Sequence, residues 1–230
     1  MSGLWSLTVT APAEDLQLLS EEELRVAAGL EPDDTSQDAA LAIRGLQVAE
    51  ALAGACGIAK AGYDPTLAPL RGEAPITLKA ETLIQRFHVR NGYNSAKLLL
   101  ARWPALEVLS VTTDTTALTV DDWAIDIPGS ALLRVSGNGT LCWPVGRVIV
   151  EYDAGYDTIP AGLKGYAARL VGLYHSSAGA DPSERRVEIP GVITIERWVD
   201  QTAASSTDVL VPEDIMTGLQ RDGYRRVLAW

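Results

Sequence analysis

Between Glu81 and Val89 apolar and polar residues take turns: Leu83, Phe87 and Val89 fall on one face, and Thr82, Arg86 and His88 on the other. A period of two predicts a half-buried strand. Short apolar runs of this kind recur at 76–90, 96–102, 105–113, 117–126, 131–136 and 146–153, separated by turn signals such as Asn91-Gly92 and Gly137-Asn138-Gly139. They predict about six antiparallel strands. On either side the spacing changes to that of helices. Ser20, answered three positions later by Glu23, forms a capping box for a short helix, which Gly29 ends and Pro32 keeps from continuing. An alanine-rich helix follows, with Thr35 as its expected N-cap, Asp38 in its first turn and Gly57 at its end. Its expected packing stripe is Ala42, Leu46, Ala49, Ala53 and Cys56. Pro160 opens a third helix with Leu163, Ala167, Leu170 and Tyr174 along one face. Pro190-Gly191 turns a late hairpin whose apolar residues are Val187, Ile189, Ile193 and Ile195. After the polar linker 201–208, Pro212 opens the last helix; Glu213 and Asp214 suit its N-terminal end, and Arg221, Arg225 and Arg226 its C-terminal end.

Strands grouped between helices predict an α+β fold and not a doubly wound sheet. The expected arrangement is a helical bundle with two N-terminal helices, one after the strands and one C-terminal. An antiparallel β part of about six strands is inserted in it, with a late β-hairpin. In residue terms, one chain, 1–230, has a helical part at 14–58 and 158–230 carrying the hairpin 185–199, and a β part at 76–153.

Composition narrows the function. With 230 residues, 47% of them apolar, the chain can bury a sizeable core. A net charge of −11, with no basic stripe, argues against a protein that binds DNA phosphates, though acidic walls suit a passage to which DNA must not adhere. Cys56 and Cys142 are too few and too far apart for a zinc site or a disulfide framework; both sit among apolar residues, so buried free thiols in a reducing compartment are expected. The N-terminal passage lacks a basic start and a long apolar run, so neither a signal peptide nor a membrane span is expected.

Candidate chemistry is sparse. His88 and His175 have no ligand or base partner at useful spacing. Asp121, Asp122 and Asp126 do not match a calcium loop, and ordinary strand-end solvation is the plainer reading. A carboxylate pair such as Asp122 with Glu151 keeps a glycosidase alternative open. Neither a nucleophile elbow nor a phosphate loop occurs, so no cofactor and no metal are expected. Trp103 and Trp143, each before a proline, read as core or edge aromatics. Trp5, Trp198 and Trp230 fall in terminal or hairpin segments, where either packing or a partner surface would use them. The passage "WPVGRVIVEYDAGYDTIP", 143–160, runs from strand through Ala154-Gly155 to a helix-opening proline; it reads as a structural joint, with Gly155 giving room for a sharp bend.

Four passages together resemble the head–tail connector (adaptor, or head-completion) proteins of long-tailed bacteriophages and phage-like gene transfer particles. "LSEEELRVAAGLEPDDTSQDAALAIRGLQVAEALAG" looks like the family's opening helix pair, broken by an acidic "DD". "LARWPALEVLSVTTD" is similar to its strand with a proline before a V-x-S-V run. "WPVGRVIVEYDAGYDTIPAGLKGYAARLVGLYH" resembles its V-x-V-x-Y-x-A-G-Y strand followed by I-P and a helix, and "VPEDIMTGLQRDGYRR" its closing helix. The long 60–75 loop, the extra strand "ETLIQRFHV" and the apolar "VLAW" ending depart from that pattern.

The resemblance implies a structural virion protein without enzyme activity. It would form a ring, dodecameric, between portal and tail, and link the DNA-filled head to the tail. The implied partners are the portal protein, a tail-completion or tail-terminator protein, and other copies of the chain. Double-stranded DNA is a non-specific passenger in the lumen, and no membrane is involved. The implied location is the virion head–tail junction, after assembly in the host bacterial cytoplasm. The candidate contacts are hairpin residues Val187, Ile189, Val192, Ile193, Ile195 and Trp198, and a C-terminal group of Tyr224, Arg225, Arg226 and Trp230, since Tyr, Arg and Trp dominate interface hot spots. The alternatives are another ring protein of the same particle (tail completion or terminator) or a hydrolase using Asp121, Asp122, Asp126 or Glu151.

Overall fold

The computed structural model describes residues 3–63, 73–90, 96–114, 116–126, 130–137, 139–178, 186–189, 193–196 and 211–225. Backbone contacts divide the chain into two compact units: Met1–Leu16 with Gly57–Pro160, and Gln17–Cys56 with Ala161–Trp230. The four helices and the strands, set in mixed sheets, make an α+β fold with a β-rich part.

The first unit is built from β1 (Gly3–Ala11), β2 (Ala61–Tyr63), β3 (Glu73–Ala74), β4 (Glu81–Val89), β5 (Lys97–Leu99), β6 (Ala105–Thr113), β7 (Trp123–Asp126), β8 (Ala131–Ser136), β9 (Gly139–Leu141) and β10 (Gly146–Ala154). A six-stranded sheet has the order β3-β2-β1-β4-β10-β6. A smaller sheet runs β5-β8-β7, with β9 beside β8. All six strand runs expected from the sequence are present. The 76–90 run is shorter than expected because residues before Glu81 turn aside, and Lys79 bridges to Tyr156 instead. The sequence reading missed β1, which pairs with β4 antiparallel and with β2 in parallel. It also missed the short β2, β3 and β9.

At the sheet's centre the period of two is strict. β4 turns Leu83, Phe87 and Val89 inward, and β10 turns Val148, Val150, Tyr152 and Ala154 inward. With Leu7, Val9, Val108, Val111, Leu98, Leu100, Leu132 and Trp143 they form one apolar core. Burying a side chain of this size contributes roughly 1.5–3 kcal/mol. β6 behaves differently. Its register against β10 shifts twice, between Glu151 and Tyr152 and between Asp153 and Ala154, so Leu109 and Leu106 are extra residues in β6. These two bulges turn the inward period from two to three, and Ala105, Val108 and Val111 are buried while both leucines face out.

The second unit contains α1 (Glu21–Ala27), α2 (Asp38–Ala55), α3 (Ala161–Ala178), the hairpin strands β11 (Arg186–Ile189) and β12 (Ile193–Glu196), and α4 (Glu213–Arg221). The expected capping box is formed. Ser20 Oγ accepts from the Glu23 amide at 3.2 Å, and the Ser20 amide donates to Glu23 Oε2 at 2.8 Å. Gly29 and Gly57 follow the helices with φ of +78° and +83°. Two details of α2 correct the sequence reading. Thr35 does not cap it; Gln37 occupies the N-cap without a side-chain bond, and Asp38 binds Arg25 instead, accepting from Nε at 2.7 Å and Nη2 at 2.6 Å. The buried stripe is Leu41, Gly45, Val48, Leu52, Ala49, Ala53 and Cys56, so Leu46 is outside it and 43% exposed. The large residues Leu41, Val48 and Leu52 set which face turns inward, because alanines on the competing stripe bury less apolar area. On α3, Leu163, Ala167, Leu170 and Val171 are buried, and on α4, Ile215 and Leu219 are buried. The expected turn at Pro190-Gly191 and the linker 201–208 lie outside the described residues.

Candidate partner-contact surface

Three of the sequence-expected carboxylates have separate partners. Asp122 closes a short turn, accepting from the Thr119 amide at 2.8 Å and its hydroxyl at 2.7 Å, and these bonds hold its carboxyl below the usual range. That is the opposite of what a general acid needs. Asp126 pairs with Lys97 at 3.7 Å, and Glu151 accepts from Ser110. His88 is exposed and His175 lies at the end of α3. Among the described residues no cluster of His, Cys, Asp or Glu could hold a metal, and no helix is long and apolar enough to cross a membrane. Cys56 is buried, which pushes its thiol up to about 12, but Cys142 is exposed, contrary to expectation. It follows the short outer strand β9, all of whose residues face solvent. Trp143, next in sequence, is buried in the core.

The most deeply placed ion pair is structural. Arg102 Nη1 stands 3.2 Å from Glu81 Oε2, with the side chains 3% and 2% exposed. The guanidinium also donates to the carbonyls of Thr77 and Pro75. Burial pushes the Glu81 carboxyl up and the Arg102 guanidinium down. Alongside, the Tyr152 hydroxyl donates to Gln85 Oε1 at 2.9 Å, which also accepts from the Ala101 amide, while Gln85 Nε2 donates to the Leu99 carbonyl. This network fastens 75–78 and 99–102 to β4 and β10. The sequence held no sign of it, since Glu81 and Arg102 are 21 positions apart.

The joint after β10 is tight, not roomy. Gly155 donates to the Pro104 carbonyl, Tyr156 donates to the Leu78 carbonyl, and Ala80 donates to the Tyr156 carbonyl. Gly155 has φ of +116°, and a Cβ there would collide with the Lys79 carbonyl. Glycine is required for close approach as much as for the bend.

Of the expected contact residues, Val187 and Ile189 lie in β11, and Ile193 and Ile195 in β12. The ladder sets Val187 opposite Ile195 and Ile189 opposite Ile193. Val192, Trp198, Arg226 and Trp230 lie outside the described residues. Tyr224 is used within its own unit: its ring lies over Gly162 of α3, where a Cβ would stand 2.8 Å from the hydroxyl. Arg225 is half-buried, and its charge acts on the Cys56 thiol. Sequence reasoning missed the exposed apolar residues Leu106 and Leu109 on β6 and Ile43 and Leu46 on α2. The spacing Ala105–Val108–Val111 was the available signal on β6.

No protein-family model matches the chain, and no curated protein matches it in sequence. Solved structures do share its fold. A chain from the neck of an empty gene transfer agent (GTA) particle, computed with C6 symmetry, superposes with a TM-score of 0.56 at 15% identity, covering 97% of this chain and 98% of that one. A chain from the virion of a native gene transfer agent particle superposes with a TM-score of 0.55 at 14% identity, covering 97% and 98%.

Proposed function

We propose that this chain is a structural virion protein of the neck of a phage-like particle. In this reading it is the head–tail connector, a ring between portal and tail that joins the DNA-filled head to the tail and contributes part of the DNA passage. The observation that carries the reading is the likeness to neck and virion chains over nearly the whole of both partners. The physical chemistry agrees. Among the described residues Asp122, Asp126 and Glu151 are engaged in a turn, an ion pair and a hydrogen bond, and a net charge of −11 suits a lumen that passes DNA without holding it. The portal protein, a tail-completion or terminator protein and further copies of the chain are the partners. Hairpin residues Val187, Ile189, Val192, Ile193, Ile195 and Trp198, with Tyr224, Arg225, Arg226 and Trp230, are the contacts. Because Tyr224 already packs on α3, the hairpin is the stronger of the two groups.

The test is mass by light scattering, for the protein alone and after mixing with the particle's portal and tail-completion proteins. The reading expects entry into a large ring with the portal. A species indifferent to both partners at all concentrations overturns it.

A further inference from the structure

On the side away from its core, the six-stranded sheet carries charges sorted by sign. β4 presents Thr82, Ile84, Arg86 and His88 there, and β10 presents Arg147, Ile149, Glu151 and Asp153. The ladder sets Asp153 opposite Thr82, Glu151 opposite Ile84, Ile149 opposite Arg86 and Arg147 opposite His88. On β6, Glu107 stands opposite Asp153 and Ser110 opposite Glu151. One end of the face is therefore acidic, the other holds the two arginines, and Ile84 and Ile149 lie at the centre. Arg147, His88, Glu107 and Ser110 are exposed, and the remaining positions are half-buried. The sorting leaves charges unanswered. Among the described residues, Glu151 and Asp153 accept from hydroxyls and not from cations: from Ser110 at 3.1 Å and from Thr82 at 2.7 Å. Arg86 turns from β10 toward β1, where its Nη1 reaches the Ser6 and Thr8 hydroxyls at 3.5 and 3.3 Å. Arg147 has a carboxylate, Asp114, 3.5 Å away on the rim.

We infer that two copies of the chain pack by this face, about a two-fold axis running across the strands. Such an axis lays each row of side chains over the row equally far on its other side. Asp153 then meets Arg147 of the second copy, Glu151 lies beside its Arg86, and Ile84 adjoins its Ile149. A two-fold along the strands would lay acid over acid, so the charges choose between the two axes. Four strands about 4.8 Å apart, with nine residues in β4 and in β10 at about 3.3 Å each, give a face of roughly 550 Å². The pair buries about 1,100 Å², just above the ~1,000 Å² of a specific contact. The contact is isologous and does not close a ring; it is a paired state of the free chain, beyond the connector reading and independent of it.

Light scattering of the full chain under reducing conditions tests this. At low salt the mass should rise with concentration from one chain to two, and the pairing should weaken as salt screens the charges. Arg86→Glu and Glu151→Arg, each by itself, should weaken pairing by about tenfold or more, because each sets like charges together in both halves of the contact. Mixing the two variants should restore it, since each chain then supplies the charge the other lacks. Arg147→Glu and Asp153→Arg form a second such set. A parent chain that stays monomeric at every concentration and salt overturns the inference, and that result needs no variant. So does a dimer that the single variants form unchanged, or a mixture no better than its components in both sets. Direct closure into rings with no dimer overturns the pairing and leaves the connector reading; a dimer restored by mixing that ignores the portal protein supports the pairing and overturns the connector reading.

Discussion

Arg102→Met leaves the Glu81 carboxylate inside the β-rich unit with its countercharge gone. With side chains only 3% and 2% exposed, solvent cannot substitute for the missing partner. Breaking such a pair from one side costs about 3–5 kcal/mol. Against a whole-domain stability of roughly 5–15 kcal/mol this is a large loss. The double variant Arg102→Met with Glu81→Leu tests the cause. It removes both charges together with their desolvation, so stability should return to within about 1 kcal/mol of the parent or exceed it, as buried pairs replaced by apolar residues often do. Two carbonyl acceptors, at Thr77 and Pro75, lose a donor in both variants and so cancel between them, while the Ala13 amide loses its Glu81 acceptor in the double variant alone. Urea unfolding reads the difference through the fluorescence of Trp143, which is buried in the same core. At a slope of about 2 kcal/mol per molar urea, the single variant's midpoint falls by roughly 2 M with the slope unchanged. A single variant as stable as the parent refutes the reasoning. So does a double variant no more stable than the single, because the loss would then come from packing and not from the stranded charge.

Three further outcomes follow from the geometry. Gly155→Ala should cost more than about 2 kcal/mol in thermal unfolding, because positive φ and the Lys79 carbonyl both oppose a side chain; a shift within error would contradict the close approach. Arg25 holds the Asp38 carboxyl below its ordinary range by hydrogen bonding, and Lys164 does the same for Glu23. Their folded values lie below the unfolded ones, so the stability they contribute is complete above about pH 5 and is lost as pH falls through the folded values; the urea midpoint should drop across that window, and less so in Asp38→Asn. A thiol reagent should modify Cys142 in the native protein and Cys56 only after unfolding, and equal rates would show that the helical unit opens readily.

What the sequence disclosed depended on the range of the interaction. The α1 capping box is complete within four residues, and Ser20 and Glu23 meet as the spacing requires. β4 and β10 carry their own alternation, and turn signals separate the inner runs. β1 was overlooked although Leu7 and Val9 alternate with Thr8 and Thr10, because its partners arrive only at 62 and 82. In α2 nearly every position is small or apolar, so periodicity could not choose between neighbouring stripes, and the bulk of Leu41, Val48 and Leu52 decided. The β6 bulges exist only in register with β10. The Glu81–Arg102 pair needed distances that no spacing carries.

β1, β4 and β10 are neighbours in the sheet but are made far apart along the chain. β1 leaves the ribosome first, but its central partner β4 begins about 70 residues later, after both N-terminal helices. At roughly 5–20 residues per second the first strand waits on the order of 4–14 s for a companion. β4 in turn stays open on its other side until Gly146–Ala154 is made. The helical pair α1–α2, whose contacts are local, can form during that interval. The sheet is therefore the late, slow part of the chain's birth, and a product truncated before Gly146 would have its central strand bare on one side and prone to aggregate.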